Sequence, residues 1–184
     1  MSINTFQQLI QDFSEEFNYI PSDEELEHTP ERLQRMYGEL LNGYAQNPTE
    51  LLSKRFYSPT DDMVLVKDIN FVSLCLHHWL PFMGVCHFGY VPDNNQIIGL
   101  SKIPRLVHCF ARRFQTQENM TSQIADSFYD IVKPKGCMIV TEASHLCSEI
   151  RGVRTKTNMV TSAIRGCFEE QNIRNEFLRL IKNG

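Results

Sequence analysis

The sequence predicts an α+β fold, and three observations predict it. Apolar residues recur at helical spacing through residues 1–54, and from residue 63 the pattern changes to that of strands. Further helices and strands then follow without regular βαβ alternation.

Each element has a local signal. Phe6, Leu9, Ile10, Phe13 and Phe17 define a first helix, and Pro21-Ser22-Asp23 reads as a breaker. Thr29-Pro30 reads as an N-cap followed by proline at the first helical position of a second helix. Its stripe is Leu33, Met36, Tyr37, Leu40, Leu41 and Tyr44, with Gly43 at the expected C-cap. Residues 63–76 and 82–91 are rich in β-branched and aromatic side chains and read as strands. Asp93-Asn94-Asn95 reads as the turn of an antiparallel hairpin leading into Ile97-Ile98-Gly99-Leu100. Ser101 is the expected cap of a helix with Ile103, Leu106, Val107, Phe110, Ala111 and Phe114 on one face. A further helix is expected after Thr121, ended by Lys133-Pro134-Lys135-Gly136. Residues 137–141 and 159–168 read as strands, and 173–181 as a closing helix.

Composition narrows the function classes. The 184 residues are 42% hydrophobic and 22% charged, enough apolar material for one domain with a core. A net charge of −4 and a pI of about 5.9 argue against a general nucleic-acid binder, though not against an anionic ligand met by local basic groups. No apolar run approaches the roughly 20 residues that span a bilayer. The N-terminus shows neither the basic nor the apolar region of a signal peptide, so a cytoplasmic location is expected. The six cysteines are then expected as reduced thiols, buried or metal-binding.

Four clusters have the residue types of a chemical site. Cys75-Leu76-His77-His78 has a Cys-x-x-His spacing, compatible with a metal site and with an ordinary strand-end histidine. In a straight strand Cys75 and His78 point to opposite faces, so shared ligation requires a break, which Pro81 favours. His145-Leu146-Cys147 offers a second imidazole–thiol pair facing one side if extended, and equally reads as a core cysteine beside a surface histidine. Together the clusters hold a ligand set suited to zinc. Ser101-Lys102-Ile103-Pro104-Arg105 places two cations at a helix start, a phosphate site or a solvated terminus. Gln117-Glu118, between two predicted helices, offers a carboxylate able to accept from the N1–H and 2-amino groups of guanine, or a helix cap.

The order of these motifs resembles the GTP cyclohydrolase I family. The resemblance runs through Thr29-Pro30-Glu31-Arg32, the stretch from Cys75 to Pro92, and Ile98 to Arg105. It continues through Gln115-Thr116-Gln117-Glu118, Glu142 to Cys147, Arg151-Gly152 and Thr161 to Gly166. It implies a tunnelling fold, an antiparallel sheet with two helices on one face preceded by an N-terminal helical pair. The implied organisation is a helical segment over residues 1–54 and a catalytic domain over 55–184. It also implies conversion of GTP and water to 7,8-dihydroneopterin triphosphate and formate, in homodecamers with active sites between subunits. By resemblance, Cys75, His78 and Cys147 are the Zn2+ ligands, and His77, His145 and Ser101 are catalytic. Gln117 and Glu118 hold guanine, Arg32, Lys102, Arg105 and Arg151 hold the triphosphate, and Leu100 joins the substrate contacts. The sequence departs from the family at Leu76, where a glutamate is usual.

Overall fold

The computed structural model describes residues 2–182. The chain divides into two compact units, Met1–Leu41 and Asn42–Gly184.

The first unit is a helical pair. Helix α1 (Ile3–Phe17) starts at Ser2, whose side chain accepts from the Thr5 N–H. Helix α2 (Asp23–Leu40) starts at Ser22, ahead of the expected Thr29-Pro30 cap. The reason is a capping box. Glu25 N–H donates to Ser22 Oγ at 3.3 Å, and Ser22 N–H donates to the Glu25 carboxylate at 2.8 Å. Asp23, Glu24 and Glu25 also match the positive end of the helix dipole. Pro30 lies inside α2, where its missing N–H removes a single i→i−4 bond. Phe6 stacks on Tyr37 with ring centroids 5.8 Å apart. Phe6 and Ile10 are buried, while Leu9, Phe13 and Phe17 of the expected stripe are exposed.

The second unit opens with a 3-10 turn (Asn42–Ala45) and the short helix α3 (Pro48–Leu51). Gly43 lies in that turn, and Leu41 takes the C-cap position of α2. A Cβ on Gly43 would lie 2.3 Å from the Cys109 carbonyl oxygen, so close backbone approach requires the glycine.

The main sheet contains β2 (Val64–Cys75), β3 (Pro81–Val91), β5 (Phe114–Gln115), β6 (Gly136–His145) and β7 (Met159–Gly166). Its order is β5-β2-β3-β6-β7, antiparallel except for the short parallel β2–β5 pair. The expected hairpin does not extend β3. Strand β4 (Gln96–Ile98) pairs instead with β1 (Arg55–Tyr57), as a separate ribbon. The cause is topological: β2 and β6 occupy both edges of β3.

Two layers of side chains cover the sheet. Cys86, Phe88 and Tyr90 of β3 and Cys137, Ile139 and Ala143 of β6 share one core with helices α4 (Lys102–Ala111) and α5 (Gln117–Val132). Met138 and Val140, on the opposite face of β6, pack with Phe168 and with Phe177 of helix α7 (Gln171–Lys182). Helix α5 begins before Thr121 because the Thr116 hydroxyl accepts from the Asn119 N–H at 3.3 Å. Gln117 and Glu118 are therefore its first turn rather than a linker, and Phe114 belongs to β5 rather than to the α4 face. All six cysteines are free thiols. Among the described residues no helix is long and apolar enough to cross a membrane.

Two glycines predict opposite stability changes. A Cβ on Gly84 would lie 1.8 Å from the Glu142 carbonyl oxygen and 2.7 Å from Ala143 Cα, on the paired strand β6. Gly38, inside α2, has nothing within 4 Å of that position. Gly84→Ala is expected to lower unfolding stability by about 1–3 kcal/mol or more. Gly38→Ala should raise it by roughly 0.5–1 kcal/mol. Urea unfolding of both variants checks the pair, and a neutral Gly84→Ala would contradict the β3–β6 register.

Candidate metal centre

Strand β2 ends at Cys75 because the backbone closes on itself there. Cys75 N–H donates to Leu80 O at 2.9 Å, and Trp79 N–H donates to Cys75 O at 2.8 Å. Trp79 takes a left-handed φ of 55°. The expected break is thus present, with Leu76, His77 and His78 in the turn. His78 Nδ1 lies 3.7 Å from Cys75 Sγ, and His77 Nδ1 lies 3.9 Å from it.

The third contributor arrives from β6. His145 ends that strand, and Cys147 lies in the single helical turn α6 (Leu146–Glu149) rather than in an extended segment. One ligand atom from each of Cys75, His78 and Cys147 falls within 4.8 Å of the others. Burial, then the neighbouring Cys75 thiol, raises the Cys147 pKa.

The donor set fits a transition metal. Zinc binds thiolate at about 2.3 Å and imidazole at about 2.0–2.1 Å, which puts a tetrahedral S···N pair roughly 3.6 Å apart. The 3.7 Å between Cys75 Sγ and His78 Nδ1 needs little adjustment. Three protein ligands leave one position of a tetrahedral ion open.

His145 is held beside this cluster by two contacts. Its ring stacks on the fully buried Phe82, with centroids 4.7 Å apart and planes 1° from parallel. Its Nε2 lies 2.8 Å from Gln117 Oε1. Burial lowers the His145 pKa, while Glu118 and Glu149 oppose that shift. Gln117 is 1% exposed, and its Nε2 faces Thr141 O, Thr141 Oγ1 and Met159 O at 3.0, 3.1 and 3.0 Å.

The remaining expected site residues are placed differently. Ser101 precedes α4 in helical conformation, without a side-chain capping bond. Lys102 N–H donates to Gly99 O at 2.8 Å, Ile103 N–H donates to Leu100 O at 3.4 Å, and Pro104 has no N–H. The backbone N–H groups of Lys102 and Ile103 are thus already bonded, and the positive charge at this helix start belongs to the side chains of Lys102 and Arg105. Leu100 is 69% exposed, and Glu118 and Arg151 are also exposed. Arg151 acts electrostatically on Cys147. Arg32 belongs to the first unit, where its Nη2 lies 3.5 Å from Glu24 Oε1. The roles of Phe82 and of the Thr121, Thr141 and Thr161 hydroxyls, which lie within 2.9 Å of one another behind Gln117, are not foreseen from the sequence, because a ring stack and a cross-element hydroxyl cluster leave no local spacing.

Two thiols and an imidazole converging on one point, beside a histidine held by a ring stack and a hydrogen bond, define a protein with a cluster able to hold a metal ion. Comparison with known proteins narrows that class. The family model for GTP cyclohydrolase I matches residues 5–182. GTP cyclohydrolase 1 of Chlorobaculum tepidum is 49% identical over 167 residues, covering 89% of this chain and 74% of that protein. GTP cyclohydrolase 1 of Campylobacter concisus is 46% identical over 166 residues, covering 89% and 87%. A crystal structure of the archaeosine synthase QueF-Like in the apo form covers 56% of this chain and 95% of that chain, at 12% identity and a TM-score of 0.45. The chain belongs to the GTP cyclohydrolase I family.

The metal assignment has a direct check. Cys147→Ser is expected to lose most bound metal, whereas Cys109→Ser, at a buried thiol outside the cluster, should keep it. Elemental analysis of the purified variants measures both. Equal metal content in the two would remove Cys147 from the ligand set.

Proposed function

We propose that this protein converts GTP and water to 7,8-dihydroneopterin triphosphate and formate. The observation that supports this best is the convergence of Cys75, His78 and Cys147 beside a held His145, in a chain of the GTP cyclohydrolase I family. The sulfur-rich donor set with one open position favours zinc, which would supply Lewis acidity near neutral pH. The chain's own residues then divide the remaining work. His145 delivers a proton to a purine ring nitrogen as the imidazole ring of guanine opens. His77 assists opening of the ribose, and Ser101 takes part in the proton transfers of the sugar rearrangement. Glu118 accepts from guanine N1–H and the 2-amino group, with Gln117 beside it in the same helical turn. Lys102, Arg105, Arg151 and Arg32 offset the charge of the triphosphate, and Leu100 contributes to the substrate surface. This local basic set reconciles an anionic substrate with a net charge of −4.

The proposed architecture is the tunnelling fold, with a catalytic domain over residues 55–184 following the helical segment 1–54, in a cytoplasmic homodecamer. Ten chains of 21.4 kDa give about 214 kDa. Sedimentation equilibrium checks that mass, and a fully active monomer would exclude sites shared between subunits.

Incubation with GTP, scored for formate and for a fluorescent pterin after oxidation, tests the reaction. His145→Ala is expected to keep its metal and lose about 10²–10⁴-fold in turnover, the range for a positioned acid–base group. Glu118→Gln should weaken GTP use and leave metal content unchanged. No formate from metal-loaded wild-type protein would overturn the proposed reaction, and an undiminished His145→Ala variant would remove that residue from it.

A further inference from the structure

The Gln117 side chain is fully committed inside the protein. Its Nε2 faces two backbone carbonyls, Thr141 O and Met159 O, both at 3.0 Å. A carbonyl oxygen only accepts, so the end of the amide that meets them is the NH2 group. That fixes the other end: Oε1, an acceptor, is the atom 2.8 Å from His145 Nε2. An acceptor cannot be bonded by a second lone pair. His145 Nε2 must therefore carry hydrogen, whether the ring is neutral or charged.

The support behind Gln117 is equally specific. Thr121 Oγ1 donates to the Gln117 carbonyl at 2.7 Å, one helical turn along α5. The same hydroxyl lies 2.9 Å from Thr141 Oγ1 and 2.7 Å from Thr161 Oγ1, and those two are 2.8 Å apart. Three hydroxyls from α5, β6 and β7 thus cluster beside Gln117, those of Thr121 and Thr141 buried and that of Thr161 half-buried. Among the described residues no buried side-chain nitrogen or oxygen is left without a partner. Turning the Gln117 amide toward a ligand would strip the carbonyls of Thr141 and Met159 of this donor, in a site with little water access.

We propose that Gln117 is a positioning residue for His145, holding its ring in the Nε2–H tautomer so that Nδ1 is the nitrogen that exchanges protons with substrate. The assignment rests on the acid–base role given to His145 above. The Phe82 stack fixes the plane of the ring, and the Gln117 bond fixes its rotation within that plane. Glu118, exposed next to Gln117 on the same turn, is left as the side chain that reads the base.

Magic-angle-spinning 15N spectroscopy of histidine-labelled, zinc-loaded wild-type protein tests this, with the His145 signals identified by their absence from His145→Ala. At a pH where the ring is neutral, the expected pattern is protonated Nε2 and unprotonated Nδ1. The reverse pattern overturns the proposal. In Gln117→Met, which keeps length but offers no comparable acceptor, the single tautomer should give way to a mixture. Its kcat should fall roughly 10–100-fold, the scale seen when a metal-bound histidine loses the hydrogen-bond partner that orients it. KM for GTP and zinc content should stay near wild type. A raised KM with kcat preserved would make Gln117 a substrate contact instead. Should Gln117→Met fail to fold, the wild-type spectrum alone still decides the assignment. Because the spectrum reads the tautomer whether or not GTP is turned over, failure of the proposed reaction and failure of this assignment are separate results.

Discussion

The register of β2, β3 and β6 is the constraint on which the site depends. Leu74 pairs with Pro81, and Phe82 pairs with His145. Those two pairings bring the end of β2 and the end of β6 to the same rim of the sheet, so that residues 75, 78 and 147 meet although some 70 positions separate them. Strand side chains alternate with period 2, so a one-residue slip would send His145 to the opposite face and lose the Phe82 stack. Gly84, opposite Ala143, lets the two backbones come close at this rim, where a β-carbon would collide with the Glu142 carbonyl. The close pairing thus serves the site as well as the fold.

Polar groups buried next to the core are costly unless each finds a partner. The protein places several under its site: Gln117, Thr121 and Thr141 are all nearly inaccessible. Their mutual bonds satisfy one another and tie the first turn of α5 to β6 and β7. A buried histidine with more exposed acidic neighbours lies on the opposite face of the sheet. There His87 sits 3.9 Å from both Asp68 and Glu142, and Asp68 N–H donates to its Nδ1 at 3.3 Å. Asp68 takes a φ of 58° where the β2–β3 register shifts, so that bulge aims its backbone at the histidine.

The thiols divide by environment. Cys86, Cys109 and Cys137 are buried in the interior, and burial pushes the Cys137 pKa up to about 12. Such thiols behave as small apolar side chains. Cys147 is less enclosed, and part of its shift comes from a second thiol beside it. A cation placed between Cys75 and Cys147 would relieve that mutual repulsion. Leu76 is 41% exposed in the turn beside them and adds no charge.

Much of this was legible in the sequence. The change of period after the helical segment, the apolar face of α4 and the breaker after α5 follow from side-chain pattern and backbone chemistry, which act over a few residues. The motifs ordered along the chain also contained Cys75, His78 and Cys147. Local signals misled where two competed: Thr29-Pro30 looked like a helix start, but the Ser22–Glu25 box satisfied the free N–H groups earlier. They misled again at Asp93-Asn94-Asn95, because a turn signal says nothing about which strand edges are already filled. The sequence by itself determined most element types and the pool of thiols, imidazoles and charged groups from which the candidate site is drawn. Tertiary structure alone decided which of them meet, and that Gln117 turns inward to His145 while Glu118 stays exposed. The physical reason is that hydrogen-bond direction and strand register are set by partners distant in the chain.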